Sequence, residues 1–149
     1  MSTHSRPTWD EYFVTILEAA ASRATCDRGR AACVITREHD LLVTGYVGSP
    51  AGFQHCDDVG HKMVNGHCVR TVHAEQNALA AAARRGVALA GGTAYCSMTP
   101  CRICAMLLIS AGVTRVVAVS SYQNREGLDM LLMAGVTFQQ LREVVPYVP

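Results

Sequence analysis

Two short segments of the chain carry side chains that can hold a metal ion and move protons: His73-Ala74-Glu75 and Pro100-Cys101-Arg102-Ile103-Cys104. One histidine and two cysteines supply nitrogen and sulfur ligands, which zinc favours. A structural zinc site normally closes with four protein ligands, whereas three ligands leave one coordination position for water or substrate. The pattern therefore predicts a catalytic zinc ion bound by His73, Cys101 and Cys104.

Glu75 lies two positions after His73, close enough to act beside the metal without binding it. A carboxylate next to an activated water can take its proton, deliver it to a ring nitrogen and then serve the leaving amine. His-x-Glu followed by Pro-Cys-x-x-Cys is the pattern of zinc-dependent nucleobase deaminases, so the combination favours amine hydrolysis over a structural zinc site. The backbone amides of Ala74 and Cys101, at predicted helix N-termini, are candidates to polarise the water or the ring.

A second group of metal-ligand side chains lies in or near residues 53–71, a polar stretch with no clear periodicity. A closed four-ligand zinc site would order such a segment and contribute to folding. We predict this second, structural zinc from Cys26, Cys56, His61 and Cys68, with His67 as the reserve ligand. The alternative is a set of buried free cysteines and surface histidines.

The remaining cysteines and histidines are given no chemical role. Cys33 and Cys96 fall within predicted strands and are expected in the core. His4, His39 and His55 are expected at the surface.

The composition predicts a single domain, residues 1–149, that acts on a small molecule. Hydrophobic residues make up 50% of the chain and charged residues 17%, which disfavours disorder. The formal net charge is +1 and basic residues form no stripe, so no polynucleotide partner is expected. No run approaches the roughly 18 apolar residues of a membrane span, and the polar N-terminus lacks a secretory signal. Because the seven cysteines suit metal ligands and thiols better than disulfides, we expect a cytoplasmic protein.

Periodicity and turn residues predict helices that alternate with strands after an initial hairpin. The predicted helices cover residues 8–25, 73–85 and 126–134, with a further helix that Thr99 caps, Pro100 begins and Gly112 closes. The predicted strands cover residues 32–36, 41–47, 93–97, 113–120 and 136–139. This order is typical of an α/β fold in which helices cover both faces of a central mixed sheet, a three-layer α/β/α arrangement.

The chain resembles the deoxycytidylate (dCMP) deaminase family of the cytidine deaminase superfamily over nearly its whole length. The resemblance rests on Trp9-Asp10-Glu11-Tyr12-Phe13, Gly45-Tyr46-Val47-Gly48-Ser49-Pro50, His55-Cys56-Asp57, His73-Ala74-Glu75-Gln76-Asn77-Ala78, Thr99-Pro100-Cys101-Arg102-Ile103-Cys104-Ala105 and Ala134-Gly135-Val136. It implies the deaminase fold, with zinc between two helix N-termini, and hydrolysis of dCMP to dUMP and ammonia. It also implies a homo-oligomer, a dimer or hexamer, with dCTP and dTTP as effectors, and a second zinc in some members.

Val47 departs from the family pattern, which usually has asparagine at this position. The asparagine is expected to hydrogen-bond the sugar 3′-hydroxyl, and a valine side chain cannot. Since a buried polar group without its partner costs about 1–3 kcal/mol, the sugar must be bound differently or be absent. The alternative substrate is therefore a free base, a nucleoside or a modified pyrimidine nucleotide. A more distant alternative is a zinc-binding module without turnover, which the acid at Glu75 opposes.

Four other side chains are candidates for substrate or effector contacts. Arg28 and Arg30 replace the usual strand entry of the family and could bind a phosphate, or could be solvated loop charges. Tyr122 resembles an aromatic residue that stacks near the substrate, with simple core packing as the alternative. Arg84 resembles a residue near the subunit interface and the nucleotide phosphate in some members, although a basic last helical turn also complements the helix dipole.

Overall fold

The computed structural model describes residues 5–122 and 124–141. Its helices are α1 (Trp9–Ala21), α2 (Cys56–Val59), α3 (Ala74–Arg85), α4 (Arg102–Ser110) and α5 (Glu126–Met133). Its strands are β1 (Ala32–Arg37), β2 (Asp40–Tyr46), β3 (Met63–Val64), β4 (His67–Cys68), β5 (Thr93–Met98), β6 (Arg115–Ser120) and β7 (Thr137–Gln140). Within this part of the chain, no helix has the length and apolar character needed to cross a membrane.

A five-stranded mixed sheet forms the centre of the molecule, in the order β2-β1-β5-β6-β7. β1 pairs antiparallel with both β2 and β5, whereas β5, β6 and β7 run parallel. The β1–β2 turn places Glu38 and His39 at φ 50° and 69°, the left-handed pair that a tight hairpin requires. The parallel strands are joined through α4 and α5, the helical crossovers that parallel pairing needs.

Helices cover both faces of this sheet, which confirms the predicted α/β class. On one face, Phe13 and Leu17 of α1 pack against Val34, Tyr95 and Val117 of the sheet. On the other face, the alternate strand residues pack against α3, α4 and α5; this second core includes Cys33, Ile35, Cys96, Val116, Ala78, Leu108 and Leu131. The alternation along β1 follows from the two-residue period of a strand.

An ion pair fixes the start of α1 to the sheet. Asp10 accepts hydrogen bonds from Arg115 at 2.9 and 2.8 Å and from the Tyr95 hydroxyl at 2.7 Å. The bond from Arg115 holds the pKa of Asp10 below its usual range, even though partial burial acts in the opposite direction. Charge-assisted bidentate contacts of this kind are both stronger and more directional than neutral ones.

Two predicted helix boundaries were wrong. α1 ends at Ala21 rather than at residue 25, because the chain turns there and the Thr25 amide donates to the Val47 carbonyl. At α4 the N-cap is Cys101, whose sulfur accepts from the Cys104 amide, so Thr99 is not the cap and Pro100 precedes the helix. The Thr99 amide instead donates to the Ser120 carbonyl and continues the pairing beyond β5.

Two glycines allow close backbone packing between helices and the neighbouring elements at the candidate site. A Cβ atom on Gly45 of β2 would collide with the backbone of Ala78 in α3. A Cβ atom on Gly127 of α5 would collide with the Pro100 carbonyl oxygen, immediately before Cys101. Glycine is therefore required at both positions for the observed packing.

Candidate active site

The structure brings the three side chains of the first predicted metal site together at the starts of two helices. His73 is the N-cap of α3 and Cys101 is the N-cap of α4, while Cys104 lies in the first turn of α4. His73 Nδ1 lies 3.6 Å from Cys101 Sγ and 3.4 Å from Cys104 Sγ. A tetrahedral zinc ion with ordinary bond lengths separates its nitrogen and sulfur ligands by about 3.5 Å. The distances from His73 to the two cysteines therefore match those of a zinc site, and all three ligand atoms lie within 4.8 Å of one another.

The electrostatics of the two cysteines also suit a cation. The hydrogen bond with Cys104, followed by that with His73, lowers the pKa of Cys101 to about 4 despite its partial burial. The same contact with Cys101, together with burial, raises the pKa of Cys104. A divalent cation bound between the two cysteines would favour the thiolate form of both.

Glu75 lies on the first turn of α3 with its carboxyl group buried beside this metal-ligand set. Its exposed fraction is 8%, and burial raises the pKa of its carboxyl group. The carboxyl also contacts the Cys104 thiol, which places it within the site rather than on the outer face of the helix. A raised pKa makes this carboxyl a better proton acceptor than an exposed glutamate, as a group that accepts and returns a proton requires.

A cavity of about 160 Å³ is lined by Glu75 and by two of the predicted metal ligands, His73 and Cys101. Most of the predicted substrate residues line this cavity, together with several residues that the sequence did not suggest. The wall includes Arg28, Val47, His67, Ala74 and Tyr122 from the predictions, and Gly29, Ala31, Gly66, Thr71, Met98 and Thr99 in addition. The site therefore combines apolar side chains with several polar groups, as small-molecule sites do.

The three candidate arginines, Arg28, Arg30 and Arg84, lie in different environments. Arg28 lies at this cavity and donates to the Gly66 carbonyl at 3.4 Å. Arg30 does not line the cavity and forms an ion pair with Asp57 at 3.1 Å, so the structure does not place Arg30 at the site. Arg84 lies exposed on the last turn of α3 and does not line the cavity.

The second predicted metal-ligand group also assembles, in the loop that precedes α3. The ligand atoms of Cys26, Cys56, His61 and Cys68 all lie within 4.8 Å of one another. Cys26 Sγ lies 3.6 Å from His61 Nδ1, and Cys56 Sγ lies 3.5 Å from Cys68 Sγ. The structure brings His61 to this group, whereas the reserve ligand His67 lines the cavity instead.

Asp27 adds a contact to this group that the sequence did not suggest. Its carboxylate lies 2.9 Å from His61 Nε2, which leaves the Nδ1 atom of the ring facing the three sulfurs. A carboxylate behind a histidine ligand is the usual way to fix the tautomer and orientation of the ring. Burial acts to raise the pKa of Cys68, but hydrogen bonds from the Arg70 and Lys62 backbones bring it down to about 6.

Among the described residues that were given no chemical role, all but His55 fall where expected. Cys33 and Cys96 are fully buried, and His39 is exposed, with its ring stacked on Trp9 at 4.2 Å. His55 was wrongly expected at the surface: it is half-buried as the N-cap of α2, and its Nδ1 atom is buried without a hydrogen bond among the described residues. His4 lies outside the described residues.

Comparison with known proteins places these side chains in a family. The model of the cytidine and deoxycytidylate deaminase zinc-binding region matches residues 7–120 of the chain. The chain belongs to the cytidine and deoxycytidylate deaminase family. This assignment confirms the family that the sequence resembles, and the zinc-binding region of that family supports zinc as the metal of the site.

Two curated members of the deaminase family show the extent of the likeness. Deoxycytidylate deaminase of Saccharomyces cerevisiae is 36% identical over 147 residues, which cover 94% of this chain and 47% of the yeast protein. ComE operon protein 2 of Bacillus subtilis is 35% identical over 137 residues, covering 91% of this chain and 72% of the relative. The chain therefore spans about half the length of the yeast deaminase.

A solved structure supports the same deaminase fold. The dCMP deaminase of cyanophage S-TIM5, crystallised with dCMP and dUMP, superposes with a TM-score of 0.80 at 26% identity. The match covers 92% of this chain and 99% of the phage chain. The central mixed sheet and its flanking helices are thus those of the cytidine deaminase fold.

Proposed function

We propose that this protein deaminates a cytosine nucleotide by hydrolysis, with dCMP converted to dUMP and ammonia. The observation that carries the proposal is the buried Glu75 carboxyl beside three metal-ligand side chains, in a cavity open to a small molecule. The relatives named as deoxycytidylate deaminases and the phage structure with dCMP and dUMP support the choice of substrate.

Each chemical role falls to a side chain of this chain. His73, Cys101 and Cys104 would hold zinc, which when bound supplies a nucleophilic water of lowered pKa. Glu75 accepts the water proton on its carboxylate and donates it to the ring nitrogen of the base. It then takes the proton of the hydroxyl group that has added to the ring carbon and delivers it to the departing amine, so that a carbonyl forms as ammonia leaves. The buried position of Glu75 keeps bulk water from competing for that proton.

The polar groups at the mouth of the cavity favour a phosphorylated substrate. The Arg28 guanidinium and the exposed His67 ring both line this region. Guanidinium groups bind phosphate through paired N–H donors, and a histidine can add a further donor. We assign Arg28, rather than Arg30 or Arg84, to the nucleotide phosphate.

A second substrate class is favoured by one observation, the apolar Val47 side chain in the cavity wall. A free base, a nucleoside or a modified pyrimidine nucleotide would need no amide group at this position. Ammonia release from dCMP, CMP, deoxycytidine and cytosine distinguishes the two classes. Turnover that requires the 5′-phosphate supports the nucleotide, whereas equal turnover of dCMP and deoxycytidine would contradict it.

We further propose that Cys26, Cys56, His61 and Cys68 hold a structural zinc ion. Four ligand atoms within 4.8 Å and a carboxylate behind the histidine support a closed site. Such a site has no open position for substrate. Its function would be to join the segment after α1 to the loop that leads into α3.

We propose that the protein acts as a homo-oligomer. Three apolar side chains on the outer face of α4 support this: Ile103 is 61% exposed, and Met106 and Leu107 are each 41% exposed. Their spacing places them on one side of the helix, as a protein contact surface requires. A dimer or a hexamer, regulation by dCTP and dTTP with Arg84 as a candidate contact, and a cytoplasmic location stay predictions.

A further inference from the structure

We infer that the Thr71 hydroxyl binds the 3′-hydroxyl of the nucleotide sugar and so performs the task that Val47 cannot. The inference rests on the proposed function. A 2′-deoxyribose 5′-phosphate linked to a base has one free hydroxyl, at C3′. A cavity that holds dCMP therefore needs one polar partner on the wall that faces the sugar.

Backbone pairing places Thr71 and Val47 on the same side of two paired segments, in a diagonal relation across the Gly48–Val72 bridge. Gly48 and Val72 form an antiparallel bridge, with amide-to-carbonyl distances of 3.3 and 3.0 Å in the two directions. Because side chains alternate across an extended backbone, Val47 and its bridge neighbour His73 point to one side, and Thr71 points to the same side as His73. All three residues line the cavity.

The Thr71 hydroxyl is available for a ligand. Thr71 is half-buried, and its side chain forms no hydrogen bond with any residue in ranges 5–122 and 124–141. The other threonine of the wall, Thr99, donates its hydroxyl to the Ser120 carbonyl at 3.5 Å. A half-buried hydroxyl gains most from a partner that arrives with the substrate, because neither group is then left unpaired.

Asn77 holds the two segments that carry Val47 and Thr71 in a fixed relation. Its side-chain amide donates to the Tyr46 carbonyl at 2.8 Å and lies 3.4 Å from the carbonyls of Gly48 and Val72. The Asn77 side chain thus contacts the backbone of the residues before and after Val47, and also the backbone of the residue after Thr71. A donor held in this way can select for a substrate hydroxyl, since little ordering is needed on binding.

Removal of one hydroxyl from the protein and one from the substrate tests the contact. The variants are Thr71→Val, which keeps the shape and loses the hydroxyl, and Thr71→Ser, which keeps the hydroxyl. Thr44→Val, at an exposed threonine of β2, is the matched control. Each zinc-loaded protein is assayed with dCMP and with 2′,3′-dideoxycytidine 5′-monophosphate, and its melting temperature and zinc content are measured.

We expect Thr71→Val to lose roughly tenfold in kcat/KM on dCMP and to match the wild type on the dideoxy substrate. Thr71→Ser should stay within about threefold of the wild type on both substrates. An equal loss on both substrates, or no loss on either, would overturn the assignment of Thr71. Absence of dCMP turnover by the wild-type protein is a different result, because it would overturn the proposed function as well.

Discussion

At the residue scale, burial and local contacts give side chains of the candidate site properties that differ from those of the same residue types in solvent. Glu75 differs from an exposed glutamate in that burial raises its pKa. Cys101 differs from a free cysteine in that the contacts with Cys104 and His73 lower its pKa to about 4. Arg28 differs from Arg30 in that Arg28 lines the cavity, whereas Arg30 forms an ion pair with Asp57. These differences support the proposed roles of Glu75 as a proton carrier, Cys101 as a metal ligand and Arg28 as a phosphate contact.

Replacement of Arg28 tests the phosphate contact. We expect Arg28→Ala to lower kcat/KM on dCMP by about 10- to 100-fold, the worth of a charge-assisted hydrogen bond, and to leave deoxycytidine turnover unchanged. Arg84→Ala is the matched control, because Arg84 does not line the cavity. Steady-state kinetics on the two substrates provide the measurement. An equal loss on dCMP and deoxycytidine would show that Arg28 acts on the fold rather than on the phosphate.

The sequence predicted the candidate site residues that stand out by side-chain type and spacing. It did not predict Thr71, whose candidacy depends on the folded structure. His73, Glu75, Cys101 and Cys104 stand out by type and order. Thr71 had no such pattern, since one threonine in a polar stretch is ordinary. Its position became informative once the Gly48–Val72 bridge showed which side it faces.

At the element scale, the second metal-ligand group joins three short segments that have little other support. Cys26 follows α1, Cys56 begins the four-residue α2, and Cys68 lies in the two-residue strand β4. Elements of this length are marginal without tertiary contacts. Cys26 and Cys68 also line the active cavity, so the order of these segments shapes the substrate wall.

Loss of one ligand tests this structural role. We expect Cys68→Ser to reduce the zinc content from two ions to one per chain and to lower the melting temperature by several degrees, because zinc binding contributes folding free energy. His67→Ala should keep both ions, since His67 lies outside the ligand group. Atomic emission gives the stoichiometry and calorimetry the melting temperature. Two retained zinc ions in Cys68→Ser would contradict the four-ligand site.

Element type was easier to predict from the sequence than element boundaries. Apolar periodicity was sufficient for the hairpin and for the strand–helix alternation after residue 73. The start of α4 was misplaced because Thr99 and Pro100 are good helix-start residues locally, whereas the parallel pairing with β6 keeps them extended. Tertiary pairing overrode a local preference, and the N-cap of α4 is Cys101, one of the predicted metal ligands.

At the scale of the whole molecule, the candidate site forms where several elements end together. Thr99 follows the carboxyl end of β5 and Tyr122 that of β6, while α3 and α4 begin beside them. The carboxyl edge of parallel strands is the common place for a ligand in α/β folds, because loops and helix N-termini meet there. The exposed face of α4 begins next to this site, so a subunit contact there would lie close to the substrate.

A charged residue on the outer face of α4 tests the proposed subunit contact. We expect Ile103→Asp to shift the protein from an oligomer toward a monomer, because the aspartate would be desolvated in an apolar interface. Leu41→Asp, at a position on β2 that is 45% exposed, serves as the control. Sedimentation velocity measures the mass. A monomeric wild-type protein would contradict the proposed oligomer, and an unchanged mass in Ile103→Asp would place the contact elsewhere.

The measurement that tests the central claim most directly is ammonia release from dCMP by the zinc-loaded protein and by its Glu75→Gln variant. Glu38→Gln, in the exposed β1–β2 turn, is the matched control. We predict turnover by the wild type and the control, and a loss of at least about 100-fold in Glu75→Gln with its zinc content retained. Full turnover by Glu75→Gln would contradict the proposed proton transfer, and no turnover of dCMP by the wild type would contradict the proposed function.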